Sequence, residues 1–135
     1  MTQVQWQESM SLGNDAIDDT HREFVQLVAA LEAAADEALV HALDALIVHT
    51  RAHFARESRW MSASRFPMSQ CHGAEHDGVL AVLDEARGHV AEGRLKVARV
   101  LPPELMRWFE GHVASMDATL ARWLENHPEV VAEAA

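Results

Sequence analysis

Nine histidines occur among the 135 residues of this chain, and the spacing of several of them suits metal binding. His53 and Glu57 are four residues apart, and so are His72 and His76. On a helix, residues at this spacing share one face, with about 6 Å of rise between them. Because imidazole nitrogen and carboxylate oxygen are both common metal ligands, each pair is a candidate for one side of a metal cluster.

A third pair, His112 and Asp117, has a different spacing of five residues. On an ideal α-helix that step separates two side chains by about 140°. Two arrangements would still bring both side chains toward one point. Either they lean in from opposite edges of a helix face, or a π-bulge adds a residue to one turn and rotates one of them inward.

Four segments with helical periodicity carry these residues. Each segment repeats apolar residues at intervals of three and four, and the histidines fall on the apolar faces. Asp18, Asp19 or Thr20 can cap the first helix, and Pro102-Pro103 suit the first turn of the fourth. The predicted helices cover residues 18–37, 41–64, 69–90 and 102–126.

Short links between amphipathic helices of about 20 residues predict an all-α fold, an up-down-up-down four-helix bundle. The length of 135 residues and the hydrophobic content of 49% suit one packed interior. We therefore expect a single domain over residues 1–135. Residues 1–17 form an N-terminal arm that we expect to pack across the bundle, with Trp6 as its anchor.

The charge and the apolar pattern exclude several classes of partner. The formal net charge is −10, so the field of the protein repels nucleic acid phosphates and anionic lipid surfaces. The N-terminal segment lacks the basic and apolar regions of a secretory signal, and no stretch approaches the roughly 20 apolar residues that span a bilayer. We expect a cytoplasmic protein with no nucleic-acid partner and no membrane span.

Cys71 is the only cysteine in the chain, so no intramolecular disulfide and no thiolate cluster for zinc or an iron–sulfur group can form. We expect it to be a small buried or half-buried residue without a redox role. A metal must then be held through nitrogen and oxygen. The candidate ligands are five imidazoles and two carboxylates, those of His21, His53, Glu57, His72, His76, His112 and Asp117.

This set of ligands is too large for one tetrahedral zinc ion. Two six-coordinate ions that share both carboxylates and a solvent-derived oxygen would need all the imidazoles as terminal ligands and would keep one position open. The mixture of imidazole and carboxylate suits iron, while ligand type alone leaves zinc, manganese and cobalt as alternatives. On reduced iron, an open position is where dioxygen would bind.

With these residues in place, the sequence resembles the hemerythrin family, in its bacterial branch, over almost the whole chain. Order, spacing and flanking residues all agree. The matching stretches are Ile17-Asp18-Asp19-Thr20-His21, then His49-Thr50 leading to His53-Phe54, Glu57 and Met61, then His72 with Glu75-His76, and Trp108 with His112-Val113 through Asp117.

The resemblance implies how two iron ions would be shared among the histidines. His72, His76 and His112 would hold one ion, and His21 and His53 would hold the other. Dioxygen would bind end-on at the iron with only two histidines. No side chain would need to act as a base.

The resemblance also implies the bridges and the pocket. Glu57 and Asp117 would bridge the two irons together with an oxo or hydroxo group. Apolar side chains would keep the dioxygen pocket dry. The residues implied as its lining are Phe24, Phe54, Trp108, Phe109 and Val113.

The chain departs from the family pattern at three places. Phe109 stands where leucine is usual, three residues before His112, and Ser58 stands where a second glutamate is common. Phe66-Pro67 replaces Tyr-Pro after the second helix. None of these changes removes a ligand, but Phe109 alters the bulk beside the open position.

Reversible dioxygen binding at a non-haem di-iron centre, for oxygen storage, delivery or sensing, is the function that this pattern favours. The expected partners are dioxygen and an oxygen-consuming acceptor enzyme, and no catalytic activity is expected. The alternatives are a di-iron enzyme acting on peroxide or nitric oxide and an iron-buffering bundle. Against the enzyme, the chain has no Glu-x-x-His, the motif that oxygen-activating carboxylate bundles carry on two helices.

Several polar residues near the candidate ligands have simpler interpretations. We interpret His49, one turn before His53, as a half-buried packing residue. We interpret Glu75 as a surface or hydrogen-bonding carboxylate and not as a ligand. The remaining histidines fall at helix ends or edges and are expected to be solvated, namely His41, His89 and His127.

Overall fold

A computed structural model describes residues 4–134 of the chain, with side chains described for residues 4–132. Its main elements are α1 (Asp15–Ala33), α2 (Leu39–Ser64), α3 (Ser69–Ala91), α4 (Lys96–His112), a π-helical segment (Val113–Asp117), α5 (Ala118–Leu124) and α6 (Pro128–Ala134). Short 3₁₀ turns occupy Glu8–Met10 and Asp36–Ala38. Within the described residues there is no strand, and no helix is long and apolar enough to cross a membrane.

Four long helical segments form a closed ring of neighbours. α1 packs against α2, α2 against α3, and α3 against α4, while α4 returns to α1. Short links join consecutive helices, so neighbours run in opposite directions. The prediction of an all-α four-helix bundle is confirmed.

The N-terminal arm is attached to the bundle through the start of α1. Asn14 caps this helix, and its side chain accepts a hydrogen bond of 3.1 Å from the backbone N–H of Ile17. Asp18 is not the cap that the sequence suggested. It is buried, and it accepts hydrogen bonds of 2.8 Å from the Ser11 hydroxyl and the Leu12 backbone N–H.

Two side chains of the arm pack on the bundle. Met10 is buried in the apolar core, while Trp6 is only half-buried, with the guanidinium of Arg22 lying 4.7 Å from its ring centroid. Met10 is therefore the deeper anchor, and Trp6 adds a cation–π contact at the surface. Residues 1–3 of the predicted arm lie outside the described residues.

Helix α4 begins at Lys96 instead of at residue 102, so both prolines lie inside the helix. The helix includes the residues before Pro102 because Ala98 and Leu101 are buried and because Arg99 contacts the link that follows α1. The Arg99 guanidinium donates hydrogen bonds of 2.6 Å to the Ala34 carbonyl and to the Asp36 carboxylate. The same contacts account for the end of α1 at Ala33, since Ala34 is extended and its carbonyl is taken by Arg99.

A polar layer divides the interior into two apolar clusters. The larger cluster includes Phe24, Phe54 and Phe109, and the smaller one includes Ile17 and Trp60. On α1, on α2 and on the segment from α4 to α5, the candidate ligands lie between residues of the larger cluster and residues of the smaller one. On α3 they lie between Phe66 of the preceding link, in the smaller cluster, and Val79 of the larger one. The bundle therefore holds its candidate ligands at one depth, with packed apolar side chains on both sides.

The π-helical segment decides between the two arrangements that the sequence left open for His112 and Asp117. It begins at Val113 and ends at Asp117, so one extra residue is accommodated between the two candidate ligands. Both side chains are buried, and they face the same point, because Nε2 of His112 lies 3.1 Å from Oδ1 of Asp117. Below this segment the core register continues one residue later, through Leu120 and Leu124.

Deleting exposed Ser115 should restore an uninterrupted α-helix, because the bulge holds one residue more than an α-turn. His112 and the aspartate would then be four residues apart on one face, and the register of Leu120 and Leu124 would be kept. Inserting one alanine at the same place should instead rotate everything downstream by about 100°. Thermal unfolding followed by circular dichroism should show near-normal stability for the deletion and a large loss for the insertion. Equal damage from both would contradict this account of the segment.

Candidate metal centre

The bundle interior brings all seven candidate ligands to one place. All seven residues are buried, with at most 6% of their surface exposed. α1 provides His21, α2 provides His53 and Glu57, and α3 provides His72 and His76. The remaining two ligands are His112, the last residue of α4, and Asp117, the last residue of the π-helical segment. Four segments that are distant in sequence therefore place nitrogen and oxygen donors at one depth of the core.

The donor atoms form two groups that share one carboxylate. In the larger group, ligand atoms of Glu57, His72, His76, His112 and Asp117 all lie within 4.8 Å of one another. The smaller group consists of His21, His53 and Glu57 under the same distance limit. One group thus holds three imidazoles and the other holds two.

Glu57 turns one oxygen toward each group. Its Oε2 lies 2.7 Å from Nε2 of His53 and 4.0 Å from Nε2 of His21. Its Oε1 lies 3.2 Å from Nε2 of His72 and 3.4 Å from Nε2 of His76. A carboxylate whose two oxygens face different sets of imidazoles has the geometry of a bridge between two cations.

Asp117 repeats this division of its oxygens. Its Oδ2 lies 3.3 Å from Nε2 of His21, in the smaller group. Its Oδ1 lies 3.1 Å from Nε2 of His72 and 3.1 Å from Nε2 of His112, in the larger group. Both carboxylates therefore link the same two groups of imidazoles.

The close contacts do not satisfy the hydrogen-bonding needs of these atoms. Nε2 of His21 and of His72 are buried and have no hydrogen-bond partner among the described residues. Both oxygens of Asp117 are in the same situation. Leaving such groups unpaired in a core is costly, whereas a cation would accept all of their lone pairs at once. The donor set therefore fits metal ions.

Neighbouring imidazoles lower the pKa values of the two buried carboxyl groups. Burial and the charge of Asp117 would raise the pKa of Glu57, but the nearby His53 and His72 outweigh them and lower it to about 2. Against the same effect of burial, close contacts with His112 and His21 hold the pKa of Asp117 well below its usual range. Both carboxyl groups are therefore ionised at neutral pH.

The pKa values of the imidazoles in the larger group shift in opposite directions. Burial would lower the pKa of His72, but Asp117 and Glu57 outweigh it and raise the pKa to about 9. Burial would also lower the pKa of His112, but Asp117 and Glu75 together outweigh it and raise the pKa. Burial lowers the pKa of His76 to about 3. Without metal, a proton on His72 offsets part of the charge of the two carboxylates, and the raised pKa of His112 acts in the same direction.

The aromatic residues implied as pocket lining surround both groups. The Phe109 ring meets that of His21 edge-on at 5.1 Å and stacks on Phe24 at 4.8 Å. Phe54 stacks on His76 with a centroid distance of 3.7 Å. Each of these three phenylalanines is buried, as is Val113.

Trp108 has a different position from the other predicted lining residues. Its ring is half-buried and stacks on His112 at 4.6 Å, so it belongs to the three-histidine group. Its indole N–H donates a hydrogen bond of 3.1 Å to Glu75. The sequence identified Trp108 as an apolar wall but could not show this polar contact, because the acceptor comes from another helix.

The other polar residues are placed close to their simpler interpretations, with one exception. His49 is half-buried, and its Nε2 lies 3.3 Å from a carboxylate oxygen of Glu23. Burial lowers the pKa of His49, which keeps its imidazole neutral. Cys71 is exposed and free, which corrects the expectation that it is buried or half-buried. Cys71 is exposed because it lies in the first turn of α3, on the side that faces solvent.

Comparison with known proteins agrees with this geometry. The family model described as the hemerythrin HHE cation binding domain matches residues 12–124 of this chain. The chain belongs to the hemerythrin family. A bacteriohemerythrin of Ralstonia nicotianae is 43% identical over 100% of this chain and 99% of its own length. More distant hemerythrins include that of Stenotrophomonas maltophilia, 25% identical over 94% of this chain and 85% of its own, and that of Aquifex aeolicus, 29% identical over 84% and 91%.

Metal binding to the metal-free protein should release protons, because His72 is protonated at neutral pH and a metal ligand must offer its nitrogen lone pair to the cation. The raised pKa of His112 adds to this release. At pH 7 the released protons should include that of His72. Affinity should rise with pH until His72 has lost its proton near pH 9. Calorimetric titration with zinc in two buffers of different ionisation enthalpy measures the release. A heat independent of the buffer would contradict the charge balance described above.

Proposed function

We propose that this hemerythrin binds dioxygen reversibly at a non-haem di-iron centre. The observation that carries the proposal is the division of oxygens in Glu57 and Asp117. Each carboxylate turns one oxygen toward imidazoles of the three-histidine group and the other toward the two-histidine group. A single metal ion would not need carboxylates whose oxygens are divided between two groups of imidazoles. Two ions bridged by both carboxylates would use every donor of the cluster.

Three imidazoles would hold one iron, those of His72, His76 and His112. His21 and His53 would hold the other, with Glu57 and Asp117 as bridges. The two-histidine side is therefore one protein ligand short of its neighbour. Reduced iron at that side would supply the open coordination position, and the two reduced irons would each supply one of the two electrons that reversible dioxygen binding requires.

The protein side of the site favours release of dioxygen unchanged. Phe109 packs against His21, and Phe54 packs against His53 at 5.2 Å. Neither ring carries an acidic proton, and both are buried, so they exclude water from the neighbourhood of the two-histidine group. A dry wall without a proton donor slows loss of the bound gas as a reduced, protonated product. We infer carriage or storage of dioxygen and not its chemical turnover.

Air should change the visible spectrum of the reduced protein. The di-ferrous protein, prepared without oxygen, is expected to gain a charge-transfer band on exposure to air and to lose it again when oxygen is removed under argon. Repeated cycles should give the same band. A spectrum that does not change in air, or steady consumption of peroxide or nitric oxide at the same centre, would contradict the proposal.

Truncation of one ligand should remove the two-metal centre. Glu57→Ala takes away a bridge, and His53→Ala takes away one of the two imidazoles of the smaller group. Both variants are expected to purify with at most one iron per chain, against two for the parent. His49→Ala is the matched control, because it deletes an imidazole one turn away that has no contact with either carboxylate of the cluster. Retained di-iron stoichiometry in His53→Ala or Glu57→Ala would refute the ligand assignment.

A further inference from the structure

The imidazole of His112 differs from the other four buried imidazoles at its outer nitrogen. Its Nδ1 lies 2.7 Å from Oε1 of Glu75 on α3. In the remaining imidazoles, Nδ1 is buried with no hydrogen-bond partner among the described residues, and these are His21, His53, His72 and His76. One candidate ligand is therefore connected to a carboxylate outside the cluster, and the others are not.

Three side chains hold one another at this position. The Glu75 oxygen that faces His112 also accepts the indole N–H of Trp108. The Trp108 ring in turn stacks on the His112 ring at 4.6 Å, with 22° between their planes. Glu75 is about one-third exposed and lines a mostly apolar surface groove of about 420 Å³ between α3 and α4. The His112 ring is thus set in both position and orientation from outside the cluster.

The contact with Glu75 decides which nitrogen of His112 carries the proton. An ionised carboxylate accepts but cannot donate, so the proton of a neutral His112 lies on Nδ1. Nε2 then keeps its lone pair, and this atom lies 3.1 Å from Oδ1 of Asp117. A carboxylate on the outer nitrogen also makes the inner nitrogen a stronger donor to a metal.

We propose that Glu75 is a positioning residue that makes the three-histidine side of the centre hold its metal more tightly than the two-histidine side. The inference rests on the proposed two-metal function. It adds an asymmetry beyond the number of histidines, since within the part of the chain that the structure describes only the three-histidine side has a ligand whose outer nitrogen contacts a carboxylate. Loss of metal from this hemerythrin then begins at the two-histidine side.

Metal release from the cobalt(II)-loaded full chain tests the proposal. A chelator in excess should remove cobalt from the parent protein in two phases, and the slow phase belongs to the three-histidine side. Glu75→Ala should accelerate the slow phase by about 10- to 100-fold, the usual effect of losing such an outer partner, and leave the fast phase unchanged. Glu75→Gln keeps an acceptor without the charge and should give a smaller acceleration.

Glu104→Gln is the matched control. It removes a carboxylate from the rim of the same groove, where Glu104 pairs with Arg107 at 2.8 Å and does not contact His112. Both phases should match those of the parent. Equal acceleration by Glu104→Gln, or an unchanged slow phase in Glu75→Gln and Glu75→Ala, would overturn the proposal.

A second measurement separates positioning from general stability. In the zinc-loaded protein labelled with ¹⁵N, His112 should show a proton on Nδ1 with a strongly downfield shift, which Glu75→Ala moves upfield while the shift in Glu104→Gln stays. A parent chain with two cobalt ions and no Glu75 effect on either readout refutes this inference alone. A parent chain that binds fewer than two ions refutes both this inference and the proposed function.

Discussion

Two carboxylates buried among five imidazoles set the physical constraint in this bundle. Desolvation opposes charge on every one of these groups, and yet Glu57 and Asp117 are ionised because each has imidazole nitrogens close by on both sides. Protons on the imidazoles cannot balance that charge evenly, because the pKa values of neighbouring rings shift in opposite directions. The pKa of His72 is raised, and that of His76 is lowered. Divalent ions between the donors remove this conflict, so metal and fold stabilise each other.

The architecture serves this constraint in three ways. Two apolar clusters enclose the polar layer from either side, which keeps water from competing for the donors. The π-helical segment supplies the extra residue that lets His112 and Asp117 face the same point. Aromatic rings complete the enclosure, with Phe109 where the family usually has leucine, packed on both Phe24 and His21. Gas binding then depends on a dry side that is short of one ligand.

Much of the fold and of the donor set follows from periodicity and spacing, which are local properties of the sequence. The remaining features depend on contacts between distant segments. Helix α4 starts early because Arg99 finds acceptors at Ala34 and Asp36, and no local pattern around Pro102 contains that information. The spacing of His112 and Asp117 allowed two geometries, and only the packing of the segment below selects the π-turn. The link from His112 to Glu75 likewise joins two helices.

Anomalous diffraction at the iron edge tests the central claim most directly, using crystals of protein purified without added chelator. The account predicts two peaks inside the bundle, about 3.5 to 4 Å apart, one among His72, His76 and His112 and one beside His21 and His53. Both peaks should contact Glu57 and Asp117. A single peak, or iron bound anywhere else on the chain, would contradict it.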